Sequence, residues 1–469
     1  MSHRGIVPNA WRSERTWVVR SLRPDLAPIL SLSLWLLSFF FPPHLVETML
    51  GERDYVFLNL SMAAVVAVST AAFWAGIRVA RPNACMQNIQ RSRPQLVVSQ
   101  RLLSRAFWLA VIVLVVEIIW ISVILKMAGL GTILLAMGDS RLGTLWRIGV
   151  WDLVRFGGIS LNSLGLFCYI ALIACAFVVL WARQQSSRRI ACLLTVSAGS
   201  LLYVVVNLLL FVRWQIMEFV IAMVSILFVS WDLRTGVSRA RVISVLTGIV
   251  VVFLALFLIV NSLRTDTSGV SMLVGYTIGS YNLGAATIAG HFQQPYAHSS
   301  YATLAWLWNA PLVGPSLREL GRALGLKLPP GGRRPSGTDQ QEWGTAALAA
   351  GLNASLQWPT VFGRIWGDVG VLFPVVFFLY GILCEKVYER FCRLEILGVL
   401  LYIPLLINIL SWFSSGLLDK RFDGFVLTAF LVWALFKDFW IVAVSEKSGA
   451  NAVFIRGWSR GVSLGLRTA

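Results

Sequence analysis

Apolar runs close to the ~20 residues that carry a helix across a bilayer recur about ten times along this chain. They lie at roughly 26–43, 56–77, 106–128, 163–181, 190–212, 215–231, 242–262, 365–384, 397–415 and 425–443. So many uniformly apolar segments cannot all be buried in one water-soluble core. Hydrophobic residues make up 57% of the chain and charged residues 13%, against roughly 25% charged in ordinary globular domains. The sequence therefore reads as an all-α polytopic membrane protein of about ten transmembrane helices. It forms a single integral membrane domain over 1–469, with an N-terminal segment (1–25), one long loop (261–364) and a tail (444–469). The first apolar run ends in Pro42 and Pro43 without a small-residue cleavage site, which predicts a retained anchor rather than a removed signal peptide.

Orientation follows from the basic residues. Arg4, Arg12, Arg15, Arg20 and Arg23 precede the first run, and Arg78, Arg81, Arg91, Arg93, Arg101 and Arg105 follow the second. By the positive-inside rule both segments face the cytoplasm. Ten spans with both termini cytoplasmic then place Arg183, Arg188, Arg189, Arg234, Arg239, Arg241, Lys386, Arg390 and Arg393 on the same side. The loop 261–364 faces outward, and its own arginines break the bias and ask for a reason.

The net charge of +18 is largely this orientation signal, with some attraction to anionic lipid. No nucleic-acid module is present. Arginine outnumbers lysine thirty-four to six, which fits either genomic base composition or arginine's bidentate grip on phosphate. No outward pair of cysteines implies a disulfide framework. The four histidines are widely spread, and outward carboxylates are not clustered, so neither metal nor cofactor is expected.

Most of the candidate chemistry falls between Asn261 and Asp368. Residues 271–290 are uncharged, with Gly275, Gly279, Gly284 and Gly290 among Ser, Thr, Asn and the aromatics Tyr276 and Tyr281. This stretch is too polar for a lipid-facing span and is expected as a re-entrant or interfacial element buried against protein. An eleventh span is the rival, and it would turn the basic tail outward. From Pro315 to Leu328, Leu317, Leu320, Leu324 and Leu328 recur at helical spacing with Arg318, Glu319 and Arg322 on other faces, predicting an amphipathic helix in the headgroup layer. Within the spans, Glu117 and Glu218 stand out because a mid-bilayer charge costs a few kcal/mol. Glu218 is expected to pair with Arg213 or serve function, and Glu117 to be protonated in packing or catalytic.

Arg213-Trp214-Gln215 opening a middle span, Asn261 to Arg264 just outside the next, the aromatic-glycine segment Tyr276 to Leu283, and Asn353 followed by Thr360 to Gly370 form an ordered set. In that order the set resembles the O-antigen and exopolysaccharide repeat-unit polymerases of the Wzy type. The likeness covers roughly 200–385 and, more loosely, the topology. It implies an inverting, polyprenyl-pyrophosphate-dependent glycosyltransferase at the periplasmic face of a bacterial inner membrane. Lipid-linked oligosaccharides are then the substrates, and a chain-length-regulating co-polymerase and a flippase the expected partners. The leaving lipid pyrophosphate asks for guanidinium groups, for which Arg213, Arg264 and Arg364 are the leading candidates. The attacking sugar hydroxyl asks for a base: Asp368, His291, His298, Glu342 and Asp266 all qualify. Tyr276, Tyr281, Thr360 and Trp366 are candidates for holding the glycan. Arg318 and Arg322 are further substrate-binding candidates that read more readily as headgroup contacts.

Three other readings remain open, one of them a non-catalytic scaffold of a polysaccharide export complex, which would need no outer arginine cluster. A ligase that moves the finished glycan to a different lipid shares the chemistry. A transporter or flippase predicts repeated halves with helices broken at mid-membrane, and no convincing internal repeat is present.

Overall fold

The computed structural model describes residues 21–50, 60–81, 100–138, 159–182, 187–210, 212–235, 269–310, 313–329, 338–353, 360–413 and 422–437, with short pieces at 94–95, 98, 155–156, 244, 247–248, 442–444 and 453–455. These residues are overwhelmingly helical, the exceptions being turns and five strands of two or three residues. In chain order the helices are α1 (Pro28–Phe40), α2 (Pro43–Leu50), α3 (Leu60–Ala80), α4 (Gln100–Gly138), α5 (Leu161–Trp181), α6 (Ser187–Leu209) and α7 (Arg213–Thr235). Then come α8 (Gly269–Val274), α9 (Ser280–Ile288), α10 (Ala305–Trp308), α11 (Gly314–Ala323), α12 (Thr338–Ala349), α13 (Val361–Val369), α14 (Phe373–Cys392), α15 (Ile396–Leu410) and α16 (Phe422–Leu435).

Among the described residues, six helical segments are long and apolar enough to cross a membrane: Leu60–Ala80, Gln100–Met127, Leu164–Trp181, Ser187–Leu209, Trp214–Trp231 and Val361–Cys392. Shorter apolar helices occupy Pro28–Phe40, Ile396–Leu410 and Gly424–Leu435. The expected span at 242–262 lies outside the described residues, as do Arg264 and Asp266.

The core is centred on α5, which is apolar on every face and buried along most of its length. A helix hydrophobic all round belongs inside a bundle, and α4, α6, α7, α15 and α16 pack around it. The closest helix pair is α3 with α14. A Cβ on Gly76 would lie 2.0 Å from the Phe378 carbonyl oxygen, and one on Gly381 2.2 Å from that of Phe73. Small residues at such a crossing let two backbones touch, the usual basis of helix association in lipid.

Three elements bear on the sequence reading. Helix α4 breaks at Gly129 (φ 70°), where the expected span ends, and a second helical piece runs on to Gly138. The polar stretch at 271–290 takes the helical form expected within the loop. It is a nearly continuous helix, α8 and α9 joined through a π-turn at Gly275–Gly279, and it is buried from Ile278 to Thr287. The amphipathic helix differs in part: α11 ends at Ala323 and turns Gly314, Arg318 and Gly321 inward, while Leu320 and Leu324 stay exposed as a lipid-facing stripe would.

Candidate functional site

Helix α13 carries both Arg364 and Asp368, and its placement begins with Thr360. That residue has extended backbone, and its hydroxyl accepts from the Gly363 amide at 3.3 Å, an N-cap. Helix α13 then lies against α9 with no room to spare. A Cβ on Gly363 would meet Gly284 Cα at 2.5 Å, one on Gly284 would meet Thr360 Oγ1 at 2.5 Å, and one on Gly367 would crowd Thr287 and Gln294. One of the glycines that made 271–290 look unlike a span, Gly284, thus serves a helix crossing. Thr360 belongs to that crossing.

Around α13 wraps the loop that follows α9. Gln294 Nε2 donates to the Arg364 carbonyl at 3.2 Å, and the His298 amide donates to the Gly367 carbonyl at 3.2 Å. Within this loop Tyr296, His298 and Ser300 have φ of 60°, 58° and 58°. The left-handed region costs a non-glycine residue about 1–2 kcal/mol, so three in five residues must be held by their surroundings. They are: the Tyr296 hydroxyl donates to Glu342 Oε1 at 3.0 Å, its ring packs on Tyr301, and Trp308 Nε1 donates to the Ser300 carbonyl. Strained backbone of this kind concentrates at functional sites.

Helix α12 closes the other side. Its Glu342 takes the Tyr296 hydroxyl, and the neighbouring Trp343 ring stacks near Phe292 and lies under the Arg364 guanidinium, 6.0 Å from centroid to Cζ. That is cation–π range. Arg364, Trp343, Glu342 and Tyr296, all half-buried, therefore come together from three segments of the chain, and the exposed His298 joins them through its backbone amide.

Several expected site residues take other roles. Asp368 is 1% exposed, and its Oδ2 accepts from the Thr303 amide at 2.7 Å. Its carboxylate holds a turn in place and is not open to a substrate. Arg318, expected at lipid headgroups, is 4% exposed and donates to the Trp308 carbonyl at 2.5 Å and to Asn309 Oδ1 at 3.2 Å, because its helix face is turned inward. Arg322 stays exposed and pairs with Glu319. Tyr281 is fully buried, bonded through its hydroxyl to the Ser31 carbonyl and hydroxyl, and ties α9 to α1. Tyr276 is half-buried in the π-turn. Trp366 packs on Phe373. His291 is exposed at the end of α9, where its amide closes the helix on Ala286. Glu218 accepts from Trp214 Nε1, and Arg213 begins α7. Glu117 is fully buried beside Cys168, between α4 and α5.

Sequence reasoning missed Gln294, Tyr296 and Thr303. No glycine or asparagine marks 296, 298 or 300 as left-handed, so the chain carries no local signal for that loop. It also missed a polar cluster in which Arg81 reaches Glu385 at 3.1 Å and Asp25 at 3.2 Å, while Arg23 pairs with Asp25. Its partners lie 56 and 304 residues from Arg81. Among the described residues, no three His, Cys, Asp or Glu side chains gather closely enough to hold a metal ion.

Comparison with protein-family models, curated proteins and solved structures finds no match to this chain.

Proposed function

We propose that the chain is a polymerase of lipid-linked oligosaccharide repeat units, transferring a growing glycan from a polyprenyl pyrophosphate to a hydroxyl of the next unit. The observation that carries this reading is the joining of Arg364, Trp343, Glu342, Tyr296 and His298 at the start of the apolar segment Val361–Cys392. An arginine there lies where a pyrophosphate hanging from a lipid tail would sit. Aromatic faces beside it offer stacking surfaces for sugar rings. The order of motifs along the sequence supports the same reading.

In this account His298, whose side chain is exposed, takes the proton from the acceptor hydroxyl as its oxygen attacks the anomeric carbon. The bond from that carbon to the pyrophosphate oxygen breaks on the opposite face, inverting the centre. The electron pair leaves with the lipid pyrophosphate, whose developing charge Arg364 stabilises, with Arg213 and Arg264 as further proposed ligands. Glu342 holds Tyr296 and so shapes the rim of the site. The periplasmic placement of the loop 261–364, the span count of about ten and the cytoplasmic termini belong to the same proposal.

The test is genetic. Deleting the gene in its own strain should leave surface glycans of a single repeat unit, restored to long chains by the wild-type gene and not by Arg364→Ala at equal membrane levels. Long glycan made but left on its carrier lipid would mean a ligase instead. Repeat units trapped on the cytoplasmic side would mean a transporter.

A further inference from the structure

The loop Tyr296–Thr303 is fastened to the C-terminal end of α13 at two points. The His298 amide donates to the Gly367 carbonyl, and the Thr303 amide donates to Asp368 Oδ2 at 2.7 Å. The first bond is neutral and 3.2 Å long. The second is short and ends on a carboxylate, the stronger class of hydrogen bond. Between the two points lie the left-handed residues His298 and Ser300, a conformation an untethered loop would leave. Helix α13 ends at once after the carboxylate, with Gly370 at φ 56°, so the carboxylate sits at a terminus fixed on one side by α9 and on the other by α14.

We propose that Asp368 is a positioning residue: its buried carboxylate clamps the strained loop to the helix that carries Arg364, and thereby sets His298 over the site. This rests on the reading above for the role of His298, while the clamp itself is a statement about the loop. Asp368 does not take the proton in this account, because its carboxylate is buried and its Oδ2 is engaged by the Thr303 amide. One consequence separates it from a base. Asparagine keeps one acceptor oxygen and can hold the Thr303 amide without being able to accept a proton from substrate, whereas alanine keeps neither function.

The test compares full-length wild type with Asp368→Asn and Asp368→Ala, reconstituted in liposomes, by hydrogen exchange and by polymerisation kinetics. In Asp368→Ala, amides of 298–303 should exchange about tenfold to a hundredfold faster, the loss expected for a charge-assisted hydrogen bond. The kcat should fall about a hundredfold, as for a misplaced reacting group, with KM for the lipid-linked unit little changed. Asp368→Asn should recover most of the protection and stay within about tenfold of wild-type kcat, with the pH profile of wild type. Equal inactivity of the two variants, with the loop still protected in Asp368→Asn, would make Asp368 a base and overturn the proposal. Unchanged exchange at 298–303 in Asp368→Ala would overturn it too. If Asp368→Ala does not fold, Asp368→Asn decides alone by its kcat and pH profile. If the wild-type protein forms no polymer, the exchange arm still decides the clamp, and the polymerase reading alone fails.

Discussion

Replacing Gly363 by alanine should damage both stability and catalysis through a single displaced backbone. The added Cβ would stand 2.5 Å from Gly284 Cα, 2.9 Å from its carbonyl oxygen and 3.1 Å from its carbonyl carbon. Each obstacle is main chain, so no rotamer change relieves it, and α13 must part from α9 by about 0.9 Å to regain the 3.4 Å of ordinary contact. Overpacking of a tight interior costs about 1–3 kcal/mol, and a backbone obstacle belongs in the upper half of that range. Alanine recovers about 1 kcal/mol of helix propensity over glycine, leaving a net loss of about 1–2 kcal/mol. Arg364 follows Gly363 directly and moves with it. A shift near 1 Å in a positioning element costs about a hundredfold in rate. The control is Gly424→Ala, where the new Cβ meets Leu166 Cδ2 at 3.6 Å, an ordinary contact. Thermal unfolding in detergent and initial rates of glycan elongation should separate the two variants. Gly363→Ala with the midpoint and rate of Gly424→Ala would refute the close crossing of α9 and α13, and with it the placement of Arg364.

Arg364→Ala should lower the elongation rate about a hundredfold to a thousandfold, the loss typical of an electrostatic ligand to developing charge. Arg364→Lys should recover part of that in rate assays, since lysine keeps the charge and loses the planar fork. Arg318→Ala should cost about 1.5–3 kcal/mol in thermal unfolding through lost charge-assisted bonds to Trp308 and Asn309, whereas Arg322→Ala, at an exposed pair, should change the midpoint little. Tyr281→Phe should cost about 1–3 kcal/mol by leaving buried Ser31 groups without their partner, again measured by thermal unfolding.

The membrane class and most of the helices were legible because a spanning helix is written in a continuous apolar run, and burial in lipid needs no long-range partner. The starts at Leu60, Leu161, Arg213 and Ile396 fall within a few residues of the runs read from the sequence. The stretch 271–290 was legible as a buried helix, but its partner was not. Its Gly284 serves the crossing with α13, which depends on Gly363 and Gly367 some eighty residues away. Leucine spacing over 315–328 placed the start of a helix that ends at Ala323, yet it could not show that Arg318 turns inward. Arg318 finds its partners at Trp308 and Asn309, which no local pattern carries. At the site, residue types pointed to Arg364, His298, Glu342 and Asp368, and the fold brings all four to α13 and its neighbours. What separates their roles is exposure and the left-handed loop, both products of tertiary contact.

The most direct measurement is elongation in a defined system. The purified protein is reconstituted in liposomes with lipid-pyrophosphate-linked repeat units isolated from a strain lacking it, and the glycans are resolved by size over time. The account predicts a ladder of products rising in steps of one repeat unit, with one polyprenyl pyrophosphate released per step, and no ladder with Arg364→Ala. Unextended repeat units with folded wild-type protein, or an undiminished ladder with Arg364→Ala, would contradict it.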